Sequence, residues 1–136
     1  ATFTPIVGSA VMYTRQDVTT VGAVGGSGLT LTKSVRNITQ GGASGTANTA
    51  RPGDVLEYVV TYTNTATTAV MTVVISDNTP ANFNVASCGA PLPTALTSCS
   101  ITTQPMVGGG GNIQWTLGGS LNAGQTGAVT FRVTVQ

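Results

Sequence analysis

Residues 51–64 read Arg51-Pro52-Gly53-Asp54-Val55-Leu56-Glu57-Tyr58-Val59-Val60-Thr61-Tyr62-Thr63-Asn64. A Pro-Gly-Asp turn feeds into a run in which Leu56, Tyr58, Val60 and Tyr62 share one face while Glu57, Thr61 and Thr63 share the other. That period of two, after a turn signal, is the pattern of a half-buried strand. β-Branched and aromatic residues fill nearly every position of the run, so a strand is favoured over a helix.

Reading outward toward higher numbers, residues 65–68 form a short turn and residues 69–77 the next strand. There Met71, Val73 and Ile75 alternate with Val70, Thr72 and Val74, and two apolar faces imply that both are covered. Asp77-Asn78-Thr79-Pro80 ends this strand, since Asn and Pro favour turns. The stretch from Pro80 to Pro105 holds both cysteines and four of the six prolines. It reads as a large stapled loop with one short strand at residues 99–103. Past the run Gly108 to Gly111, Ile113, Trp115 and Leu117 point one way, and Trp115 is expected in the core against Tyr58 or Tyr62. Leu121-Asn122-Ala123-Gly124-Gln125 then turns the chain into a last strand with Val129, Phe131, Val133 and Val135 on one face.

In the other direction, residues 40–50 are a Gly/Ala/Ser/Thr/Asn loop without an apolar anchor. Residues 29–35 alternate cleanly, with Leu29, Leu31, Lys33 and Val35 on one side. The cluster Gly22, Gly25, Gly26 and Gly28 reads as a flexible joint. Ahead of it lies a segment of strand composition carrying Phe3, Ile6, Val7, Val11 and Met12. About six or seven strands beyond residue 28, with no helix between them, argue for an all-β antiparallel sandwich, a closed barrel being the alternative. The expected division is an extended β arm with its glycine joint over 1–28 and the sandwich over 29–136. Its core is expected to hold Tyr58, Val60, Tyr62, Trp115 and Phe131.

Composition narrows the function. At 136 residues the chain fits one domain. Charged residues are 7% of it and histidine is absent, against roughly a quarter charged in an average soluble domain. Threonine is the commonest residue, which suits hydroxyl-covered strand faces. The net charge is +1 and the charges are scattered, whereas phosphate backbones require clustered cations, so a nucleic-acid partner is not expected. No apolar run approaches the length of a membrane-spanning helix. No charged-then-apolar leader is visible, and a secreted protein would have lost it. Cys88 and Cys99 have no His or second Cys pair nearby to complete a metal site, so a disulfide in an oxidising compartment is expected.

The ordered series Leu31-Thr32-Lys33-Ser34, Ala50-Arg51-Pro52-Gly53-Asp54 leading into Glu57-Tyr58 and Thr61-Tyr62-Thr63-Asn64, Val74-Ile75-Ser76-Asp77-Asn78-Thr79-Pro80, Trp115-Thr116-Leu117, and Gly124-Gln125 before Thr130-Phe131-Arg132-Val133-Thr134-Val135 resembles the conserved-repeat domain of prokaryotic cell-surface proteins, long catalogued as a domain of unknown function. The resemblance covers residues 29–136. It implies an immunoglobulin-like sandwich exposed outside the cell, often in repeat arrays, and brings no catalytic residues with it. A single copy, a cysteine loop and the preceding arm depart from that pattern.

Individual residues add little chemistry. Lys33 invites an intramolecular isopeptide bond, but the last strand lacks the Asn partner, so a lysine that snorkels to solvent is expected. Asn37-Ile38-Thr39 is a glycosylation sequon that reads as a turn. Asp54 and Asp77 are oxygen ligands of the type calcium wants, yet turn-capping is their expected role. A glycosidase needs two acids held across a cleft and there are four acids in all to choose from, so that activity is not suggested, and Ser/His/Asp chemistry lacks its His. No enzyme activity and no cofactor are expected. The expectation is a secreted, extracellular or cell-surface structural subunit of a filament or pilus. Its copies partner one another by inserting Phe3, Ile6, Val7, Val11 and Met12 as a β-strand into a neighbour. The alternative is an adhesin or virion-surface module that recognises a glycan or protein through its loops.

Overall fold

A computed structural model of the chain describes residues 11–13, 20–24, 28–45, 48–79 and 82–136. They form ten strands: β1 (Val11–Tyr13), β2 (Thr20–Val24), β3 (Leu29–Asn37), β4 (Asn48–Ala50), β5 (Val55–Asn64), β6 (Val70–Thr79), β7 (Phe83–Cys88), β8 (Leu96–Thr103), β9 (Gly111–Leu121) and β10 (Thr126–Thr134). Two four-stranded antiparallel sheets, ordered β3-β5-β10-β7 and β2-β6-β9-β8, pack as a sandwich, and β1 pairs with β4 in a small ribbon. The architecture is all-β and consistent with an immunoglobulin-like sandwich.

The three strands with unbroken alternation build the centre. β5 buries Leu56, Tyr58, Val60, Tyr62 and Asn64 along one face. β10 buries Val129, Phe131 and Val133 beside it, and β9 contributes Ile113, Trp115 and Leu117 from the opposite sheet. Buried polar groups close the two ends. Asn64 donates through Nδ2 to the carbonyls of Thr68 and Leu121, and its Oδ1 accepts from the Ala66 N–H. At the other end Asp54 ties the turn before β5 to β3. The turn requires Gly53, whose φ of +90° lies in the left-handed region that favours glycine.

Bulges account for the departures from strict alternation. In β6 the bulge centres on Thr72, a β-branched residue at φ +54°, and the register shifts there against β9. Val70 and Val73 therefore both point inward while Met71 is turned to solvent, which corrects the expectation that Met71 shares a face with Val73 and Ile75. The strand also runs on to Thr79 instead of ending at Asp77. The segment expected to be a loop with one short strand at residues 99–103 holds two edge strands: β8, which contains that strand and begins three residues earlier, and β7, which the pattern does not show. Each carries a register shift, so β7 buries Phe83 and Ala86 three residues apart and presents no period of two. Residues 40–50 are likewise not wholly loop, because β4 ends in the buried Ala50 and Gly45 bridges to Val35.

Candidate functional site

The edge of the second sheet is formed by the segment ahead of the glycines. Strand β2 pairs with β6 in the register Thr20↔Ser76, Val21↔Ile75 and Gly22↔Val74, then shifts so that Val24 lies opposite Met71. Gly22 belongs to this strand, so the glycine joint is shorter than the sequence suggested. At the far side of the joint Gly28 has a φ of +139°, and a Cβ there would stand 2.7 Å from that of Ala66. Only glycine lets the chain pass so close to the β5–β6 turn on its way into β3, an edge strand of the first sheet. The joint thus delivers β2 to one sheet and β3 to the other. Farther out, Val11 and Met12 lie in β1 opposite Ala50 and Thr49. Phe3, Ile6 and Val7 lie outside the described residues.

Two links tie the sheets together across the sandwich. Cys88 of β7 and Cys99 of β8 form a disulfide between edge strands of opposite sheets. Lys33 of β3 extends inward, and its Nζ lies 2.6 Å from Oδ2 of Asp77 on β6, with the lysine side chain 19% exposed and the aspartate side chain 0%. The amine also sits 5.3 Å from the ring centroids of both Tyr58 and Phe131. Lys33 therefore does not snorkel to solvent. Its partner is the acid that sequence reasoning assigned to turn-capping, and β6 continues past Asp77. The signal was present, since Lys33 and Asp77 each fall on the apolar face of an alternating strand.

The other two described acids are held on the outer face of the first sheet and at one end of the sandwich. On the outer face of the first sheet Glu57 lies between Arg36, at 3.3 Å, and Arg132, whose Nη2 is 2.9 Å away. Asp54 accepts from Asn37 Nδ2 at 2.7 Å, from the Arg51 N–H at 3.0 Å and from Gln40 Nε2 at 3.1 Å. Burial, the largest single influence, pushes the Asp54 carboxyl up. The hydrogen bonds from Asn37, Arg51 and Gln40, with the Arg51 charge, together outweigh burial and hold the group below its ordinary value. Among the described residues no group of three or more His, Cys, Asp or Glu side chains gathers as a metal site. No described helix is long and apolar enough to cross a membrane.

Tyr58, Val60, Tyr62, Trp115 and Phe131 are all buried in one cluster. Phe131 is the hub, stacked on Tyr58 at 4.8 Å and tilted against Trp115 at 6.4 Å. The indole thus meets Phe131, and through it Tyr58. Large apolar side chains reach solvent at Met106 and Val107, 85% and 77% exposed in the β8–β9 connection. No family model matches the chain, and neither a curated protein nor a solved structure matches it.

Proposed function

We propose that the chain is a structural subunit of an extracellular prokaryotic filament or pilus, polymerising by exchange of the segment ahead of the glycine joint. One observation carries this reading: a five-residue strand, β2, covers the edge of the ten-residue β6 and is tethered to the rest of the sandwich through glycines. A strand so attached can be replaced by the same strand of a second copy in the same register, since identical elements make identical contacts. An uncovered β6 edge would expose unpaired N–H and C=O groups, and covering it supplies the assembly force. The order of sequence motifs supports kinship with the conserved-repeat domains of prokaryotic cell-surface proteins. The disulfide supports an oxidising compartment, and with it secretion.

Thr20 and Ser76 lie directly opposite across β2 and β6, which makes the reading testable. Protein carrying Thr20→Cys is mixed with protein carrying Ser76→Cys under assembly conditions and then oxidised. A disulfide between the two populations is expected. If the bond forms only when both substitutions sit in one chain, strand exchange is wrong. A second reading, a module that binds a protein or glycan through its loops, is favoured by the exposed Met106 and Val107 and would gain from that outcome.

A further inference from the structure

We propose that Lys33 and Asp77 become joined by an intramolecular amide bond that the folded sandwich forms without a helper. Proximity is the first support. The contact of 2.6 Å between Nζ and Oδ2 holds the amine against the carboxyl group it would attack, and positioning of this kind replaces a large entropic part of a bimolecular barrier. The second support is the surroundings. The carboxylate is wholly buried, and the amine stands over Tyr58 and Phe131, whose faces fix its position. An ion pair withdrawn from water carries a desolvation cost that its attraction does not always repay. Condensation to a neutral amide removes both charges at once.

The step balances within the pair. A proton passes from Nζ to Oδ2, and the neutral amine attacks Cγ to form the C–N bond. The protonated Cγ–Oδ bond then breaks, and that oxygen leaves as water with a second proton from nitrogen. Of the three ammonium protons, two depart in the water and one remains on the amide. No oxidant, metal or co-substrate is consumed.

Position adds a third support. The disulfide joins the sheets through β7 and β8, and Lys33–Asp77 joins them through β3 and β6. Each sheet has the order in which these strands lie on opposite sides of its centre. A second covalent link would close the sandwich on the side that the disulfide leaves open. This inference stands apart from strand exchange, because both residues belong to the same sandwich.

The test uses the unaltered protein, so no variant has to fold. After reduction and denaturation its intact mass is expected to be one water lighter than the sequence requires. Proteolysis should yield a branched peptide joining residue 33 to residue 77, and Lys33 should resist acetylation. Lys33→Ala and Asp77→Ala proteins should show the full mass. The full sequence mass in folded wild-type protein overturns the proposal. So does a lost water that leaves Lys33 open to acetylation, which would mark ring closure of Asp77 with its neighbour.

Discussion

Trp115 and Phe131 meet across the sandwich with ring centroids 6.4 Å apart and planes inclined at 35°. Each comes from an inner strand of its sheet and both are fully buried, so the contact joins the two layers in the middle of the sandwich. Trp115→Ala is expected to cost about 3–5 kcal/mol, because the cavity adds to the lost burial. Denaturant unfolding of the variant and the parent reads this difference, and a loss under about 1 kcal/mol would show that the core closes over the gap.

Asp54 supplies a pH dependence. Its carboxyl is held below its ordinary value in the folded protein, chiefly by Asn37, the Arg51 N–H and Gln40 acting against burial. Within the window between the two values the unfolded chain binds the extra proton, so stability rises with pH there. The contribution is complete above roughly pH 4 and is lost as pH falls through the folded value. Asp54→Ala should cost about 1–3 kcal/mol at neutral pH, since it leaves the Asn37 amide and a backbone donor without their acceptor. Unfolding measured across a pH series should show the gap between parent and variant narrowing in acid. A gap that stays constant down to about pH 2 would mean that the carboxylate charge contributes nothing.

Cys88 and Cys99 are bonded to each other, so thiol labelling of the unfolded, unreduced protein should find no reactive sulfur. The two residues are 11 apart in sequence, and closing a loop of that size contributes about 2–3 kcal/mol in the chain-entropy account. The paired Cys88→Ala, Cys99→Ala variant should lose about that much against the oxidised parent and match the reduced parent. A loss well beyond the reduced parent would point to packing by the sulfurs themselves.

The strands that could be read directly are those whose alternation is unbroken. Leu56 to Asn64, Ile113 to Leu117 and Val129 to Val133 keep their period of two because each lies between paired neighbours and buries one face. Thr72, Asn84 and Thr97 sit where register shifts, and one extra residue reverses the inward face of everything after it. Nothing in residue type announces such a shift, so the sequence pattern puts Met71 on the face of Val73 and Ile75 and leaves β7 inside a loop. Lys33 and Asp77 illustrate a second limit. Each is visible as a charge on an apolar face, but their meeting depends on which strands oppose across the sandwich, and that follows from topology rather than from local pattern.

The final expectation concerns β2. Removing residues 1–24 leaves β3 and β5–β10 with their own pairings, because β6 is the one strand of that set that pairs with β2. The sandwich should therefore still fold, with the β6 backbone unpaired along the stretch from Met71 to Ser76. An uncovered edge of that kind is prone to self-association, so the shortened protein should aggregate more readily and melt earlier. A synthetic peptide spanning residues 11–24 should bind it and raise its melting temperature with peptide concentration, because a ligand that binds only the folded state shifts unfolding by mass action. The same peptide added to the full-length protein should have no such effect while β2 occupies its own edge. Equal stabilisation of both proteins would place the peptide elsewhere on the surface. No stabilisation of the shortened one would mean that β2 is not what seals β6.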